Sequence, residues 1–224
     1  MKGTIISALT GLASMTAAGA VMGNQGFDGM EDASIGLSKI QGGDTENDLI
    51  DGDCMNVTVI FARGTTEPGN VGSLAGPPFF ESLDAALGAG QLAVQGVDYP
   101  ADIPGYLDGG SKEGAETMAG HVADAVSKCP DTKIVMSGYS QGAQVTHLAG
   151  NSLSASDAAH VSAVVVFGDP YKDEPIENIS SDNILTFCAE GDLICEGQPI
   201  VLIPHLSYGA NADEAADFVV SKVA

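Results

Sequence analysis

At 224 residues, with 44 % of them hydrophobic, the chain is long enough to bury one substantial core. Thirty acidic residues against eight Lys and Arg leave a net charge of −22, and Arg63 is the only arginine. That balance excludes a nucleic-acid partner, which needs clustered cations over the phosphates, and describes a self-repelling, soluble surface.

Lys2 precedes an uncharged run, GTIISALTGLASMTAAGA, that ends in the small triplet Ala18, Gly19, Ala20. This is the layout of a secretory signal peptide over residues 1–20, with an apolar part too weak for a membrane anchor. Residues 21–52 then turn to Gly, Asp, Asn and Ser with single scattered apolar residues, which supports no periodic element. They read as a flexible acidic leader, and residues 53–224 as the single domain.

Within that domain strand-like and helix-like segments alternate. Residues 57–62 are apolar and β-branched, 78–87 are a helix candidate, and 91–97 a second strand. Helical spacing of Ala115, Met118, Ala119, Val122 and Val126 predicts a helix over 111–128. A short buried strand at 132–137 (TKIVMS) and a helix over 143–150, capped by Gly150, follow. VSAVVVF (161–167) and NILTFC (183–188) are further strands, and 212–223 a closing helix. Continuous apolar strands between helices predict a mainly parallel sheet covered on both faces, an α/β sandwich.

Four cysteines in an exported chain suggest two disulfides, with three connectivities open. Cys54 opens the first strand and Cys129 immediately precedes the strand at 132–137, so a parallel sheet puts both at one end, where they can meet. Cys188 and Cys195 flank the loop AEGDLI and would close it locally. No C-x-x-C pair or nearby histidine makes these cysteines a metal site.

The stretch GYSQG, residues 138–142, carries the chemistry. A strand, a Gly-flanked turn and a helix form a nucleophile elbow, which pushes a serine hydroxyl out over the sheet edge. Ser140 is therefore the candidate nucleophile. In this architecture the partners follow in the order Ser, Asp or Glu, His. His121 and His160 stand in the wrong order, and His147 points along the elbow helix. His205, in the loop IPHLSYG, remains. Glu190, Asp192 and Glu196 all satisfy the order for the acid; Asp192, at the centre of the Cys188–Cys195 loop, is preferred, with Asp169 as the fallback. The oxyanion donors would come from Gln141 and from Thr65 in ARGTTEPG. Arg63 would brace that loop by pairing with a carboxylate.

FARGTTEPGN, CPDTKIVMSGYSQG, FCAEGDLICEG and PHLSYG together resemble the fungal cutinase family, which includes acetylxylan esterases. The resemblance runs from about Asp53 to Ala224. It implies a three-layer α/β/α sandwich of the small, lidless α/β-hydrolase type with an open site. It also implies a Ser140, Asp192, His205 triad, an oxyanion hole at Thr65 and Gln141, and disulfides Cys54–Cys129 and Cys188–Cys195. Ile200, Val201 and Leu206 would face the acyl group with Ile103 opposite, while Leu202 and Ile203 would be core residues. The expected function is a secreted, monomeric serine esterase acting on cutin-like aliphatic polyesters and short-to-medium acyl esters, with acetylxylan esterase or a non-catalytic wall-binding protein as the alternatives. Such chemistry calls for no metal or organic cofactor. Two N-x-S/T sequons lie at Asn56 and Asn178.

Overall fold

A computed structural model describes residues 43–224; the expected signal peptide over 1–20 and most of the expected leader over 21–52 lie outside the described residues. Among the described residues, five parallel strands form one sheet in the order β2-β1-β3-β4-β5: β1 Val57–Ala62, β2 Leu92–Gly96, β3 Lys133–Tyr139, β4 Val161–Phe167 and β5 Ile184–Phe187. The helices are α1 Asp48–Asp51, α2 Gly76–Leu87, α3 Ile103–Leu107, α4 Lys112–Lys128, α5 Gln141–Ser152, α6 Ala155–Ala158 and α7 Ala212–Val223. The α/β sandwich expected from the alternating pattern is thus what forms.

Alternation along the central strands sorts side chains to two cores. Ile60, Ile134, Met136, Val164 and Val166 pack with Met118 and Val122 of α4 and Val145 and Ala149 of α5. Val59, Phe61, Val135, Val165 and Phe167 face the other way, onto Phe79, Phe80 and Leu83 of α2 and Ala215, Ala216 and Val219 of α7. Because both faces are covered, the strands are largely apolar rather than alternating regularly with polar residues. The helices start where their caps lie: Ser111 accepts from the Gly114 N–H, and Pro77 and Pro78 occupy the first turn of α2, where a missing N–H is harmless.

Two local expectations change, and one further short helix forms. Gly150 does not cap α5; it lies inside it, where a Cβ would come within 2.4 Å of the Ile176 side chain. Close packing, not termination, is its role. The loop 102–108 contains α3, capped by the Asp102 side chain on the Gly105 N–H. The end of the leader is also structured. Asn47 bridges Gln95 in antiparallel fashion, the Glu46 carbonyl accepts from the Gly96 N–H at 2.9 Å, and an Asp48 carboxylate oxygen accepts from the Val94 N–H at 3.0 Å. Residues 44–51 therefore cover the outer edge of β2, an edge strand that would otherwise present unpaired donors. Scattered apolar residues hid this docking, because only Leu49 is buried by it.

Both disulfides expected from the family resemblance form, Cys54–Cys129 and Cys188–Cys195. Among the described residues, no helix is long and apolar enough to cross a membrane, and no cluster of His, Cys, Asp and Glu could hold a metal ion.

Candidate active site

Parallel strands bring their C-terminal ends to one edge of the sheet, and the chemistry-bearing loops follow from there. β3 is the central strand of the five, so Ser140, the next residue, emerges at the middle of that edge. Its backbone lies at φ 57°, ψ −118°, a left-handed conformation that a non-glycine residue holds only under constraint. The Ser140 N–H donates to the Phe167 carbonyl at 2.9 Å, and α5 begins at Gln141. The two flanking glycines are steric necessities. A Cβ on Gly138 would come within 2.2 Å of the Gly142 carbonyl oxygen, and one on Gly142 within 1.9 Å of that of Ala62. Both gaps are below any tolerable contact.

His205 sits in a 3₁₀ turn, Ile203–Leu206, after β5. Its Nε2 is 2.9 Å from Ser140 Oγ and its Nδ1 is 2.8 Å from Asp192 Oδ2. A carboxylate can only accept, so Nδ1 carries the proton and a neutral ring leaves Nε2 free to accept from the serine hydroxyl. Asp192 and His205 are 1 % and 2 % exposed, so the pair is shielded from water. Asp192 Oδ1 accepts the Ile194 N–H at 3.0 Å. Tyr139 donates to the His205 carbonyl at 2.8 Å, and Gly168, at φ 57°, lets the chain pass beneath the imidazole: a Cβ there would come within 2.8 Å of the ring.

The fallback acid is engaged elsewhere. Asp169 Oδ2 lies 2.9 Å from His147 Nε2, its Oδ1 accepts the Tyr171 N–H, and both side chains are buried. His147 therefore has a partner of its own between α5 and the loop after β4. His121, on α4, has its pKa lowered, chiefly by burial.

Thr65 and Gln141 meet through a side chain. Gln141 Nε2 is 2.9 Å from Thr65 Oγ1 and 2.6 Å from the Asp102 carbonyl oxygen. Since a carbonyl accepts only, the atom between them is the amide nitrogen, and Thr65 Oγ1 receives its hydrogen bond. Arg63 braces the same loop, but through backbone rather than a carboxylate: it donates to the carbonyls of Glu67 and Tyr99, each at 2.8 Å, and its guanidinium lies over the Tyr99 ring. Glu67 instead accepts three backbone N–H groups, from Gly64, Ser73 and Leu74.

Two cavities adjoin at Thr65 and Val201, which line both. One, of about 450 Å³, is lined by Thr65, Ile103, Tyr106, Leu107, Ile194, Pro199 and Val201. Its wall is apolar, and Ile103 and Val201, both expected beside the acyl group, line it. The second, of about 400 Å³, is lined among others by Thr66, Glu67, Ser73, Tyr139, His205 and Leu206. Leu206 therefore borders the other cavity, and Ile200 lines neither. Leu202 and Ile203 are not core residues, being 43 % and 84 % exposed. Rather than folding inward, the stretch 200–206 runs over the surface, with His205 its one buried residue. Leu107, Tyr106, Ile194 and Tyr208 had no distinguishing pattern in the sequence, although Tyr208 stands only three residues after His205.

A model of the cutinase family matches residues 53–223. A cutinase of Botryotinia fuckeliana is 49 % identical over 166 residues, 74 % of this chain and 82 % of that protein. A solved Trichoderma reesei cutinase, in complex with a phosphonate inhibitor, is 48 % identical, superimposes with a TM-score of 0.77 and covers 82 % of this chain and 81 % of that one. An acetyl xylan esterase structure shares the fold at 24 % identity and a TM-score of 0.61, covering 77 % of this chain and all of that one. A family model that spans most of the chain, and relatives near half identical over three quarters of it, place it in the cutinase family, as a carboxylic ester hydrolase.

Proposed function

We propose that this esterase is secreted and monomeric and hydrolyses cutin-like aliphatic polyesters and short-to-medium-chain acyl esters, with Ser140, His205 and Asp192 as its catalytic triad. The carrying observation is the series Ser140 Oγ, His205 Nε2, His205 Nδ1, Asp192 Oδ2, with links of 2.9 and 2.8 Å, on a serine at positive φ. As Ser140 Oγ attacks the ester carbonyl carbon, its proton passes to His205 Nε2, and Asp192 steadies the imidazolium. The oxyanion takes the Gln141 N–H, which at the first position of α5 has no partner within the helix, and the Thr65 N–H. Because Gln141 Nε2 donates to Thr65 Oγ1, the threonine hydroxyl hydrogen is free for the oxyanion as well. His205 then protonates the departing alkoxide. Water, deprotonated by the same imidazole, cleaves the acyl-serine.

The 450 Å³ cavity supports acyl chains of several carbons, since each buried methylene contributes about 0.8 kcal/mol. An acetyl group gains nothing from that wall, which favours the polyester reading over xylan deacetylation. Two disulfides and the strongly acidic composition fit an exported, self-repelling protein. The test is kcat/KM on p-nitrophenyl esters of increasing length, together with release of monomers from cutin. Butyrate or hexanoate should exceed acetate. Acetate preference with deacetylation of xylan would overturn the substrate and leave the triad standing.

A further inference from the structure

Tyr208 lies in the 3₁₀ turn Tyr208–Asn211, three residues after His205, and is 1 % exposed. Its Oη is 2.5 Å from Asp192 Oδ2, and the Ala189 N–H donates to that Oη at 3.0 Å. An amide nitrogen only donates, so Oη accepts from Ala189 and turns its own hydrogen onto the carboxylate. We infer that Tyr208 is a positioning residue for the triad: it locks the plane of the Asp192 carboxylate and shares the oxygen that receives His205. The inference rests on the serine-esterase reading above.

The connections explain why this position suits the task. Ala189 follows Cys188 and Ile194 precedes Cys195, so the Tyr208 and Asp192 hydrogen bonds grip both ends of the disulfide-closed loop. Tyr208 belongs to the chain segment of His205, so one aromatic residue joins the base to the loop that carries the acid. Burial, and then the bond to Asp192, pushes the Tyr208 hydroxyl above the usual tyrosine range, so it remains a protonated donor. With a donor on Oδ2, the carboxylate holds less free charge toward Nδ1. Without it, Asp192 draws the imidazolium proton harder and His205 becomes more basic. The other ionisable groups around the dyad are Glu67, Asp169, Tyr106, Tyr139 and Lys172, the last paired with Glu196; none changes when only the Tyr208 hydroxyl is removed.

The experiment is Tyr208→Phe in the full chain, with kcat, KM and the pH profile measured on p-nitrophenyl butyrate, and melting measured in parallel. The expected result is a kcat lower by about ten- to hundredfold, the worth of one hydrogen bond to a charged group, with KM little changed and the acid limb moved to higher pH. Melting that falls while kcat and the acid limb stay put would overturn the inference, because a merely structural tyrosine behaves so. Should Tyr208→Phe not fold, site-specific Tyr208→3-fluorotyrosine keeps the shape and strengthens the donor. The acid limb should then move to lower pH, and an unmoved limb would again refute the role. Ser140→Ala run alongside separates the two levels: if it keeps its turnover, the triad reading fails rather than the tyrosine's place within it.

Discussion

Leu49→Ala should destabilise the domain by about 2 kcal/mol, although Leu49 belongs to a stretch whose composition reads as leader. The side chain is 6 % exposed and joins the core that includes Val97, Tyr99 and Met118. Leucine truncations in cores cost about 2 to 5 kcal/mol, depending on how far the site can collapse. A single-turn helix lying on a sheet edge can settle inward, which selects the low end. In a domain of this size, 2 kcal/mol corresponds to a melting temperature lower by roughly 4 to 8 °C. The assay is thermal and urea unfolding with the disulfides intact, using Ile50→Ala as the control, since the neighbouring side chain is 54 % exposed. That control should shift stability by no more than about 0.5 kcal/mol, and kcat on a soluble ester should be unchanged in both. If Leu49→Ala melts with Ile50→Ala and wild type, residues 44–51 are not part of the folded domain, and a boundary at residue 53 is restored.

Burial, followed by the Asp48 charge, raises the Glu46 carboxyl to about 7, from 4.5. A raised folded-state value means stability present below 4.5 that fades as pH rises through about 7; Glu46→Gln should flatten that loss in a pH series of melts, and an unchanged slope would disprove it. Asp192→Asn should abolish most turnover through loss of the correct imidazole tautomer, while Asp169→Asn, at a side chain bonded to His147 and the Tyr171 N–H rather than to His205, should spare kcat; stopped-assay rates on p-nitrophenyl butyrate decide, and the reverse ranking would move the acid. The disulfides should divide their work. By chain entropy, Cys54–Cys129, with a separation of 75, is worth about 4 kcal/mol and Cys188–Cys195, with a separation of 7, about 2, so the first pair replaced by serine should lower melting more and the second should lower kcat more; equal effects of both would refute the division.

Sequence alone determined the architecture and singled out the proposed reacting groups, for reasons local to the chain. Parallel strands buried on both faces must be mostly apolar, so VTVIFA, KIVMSGY and VSAVVVF announce themselves. The elbow does so too, because its backbone is strained and its close contacts admit only glycine at 138 and 142. Chain order, scarcity of histidines and the cysteine spacing then singled out His205 and Asp192. What only the tertiary structure decided are contacts whose partners are far apart in sequence and whose residue types are ordinary. Tyr208 is one more aromatic until Asp192 lies beside it. Asp169 was a rival acid until His147 was found against it. Leu202 and Ile203 match core residues in composition, yet the chain there is anchored through His205 and leaves them in solvent. The acidic stretch 44–51 docks through backbone carbonyls, the Asp48 carboxylate and a single leucine, and such scattered contacts to a sheet edge leave no periodic trace in the side-chain pattern.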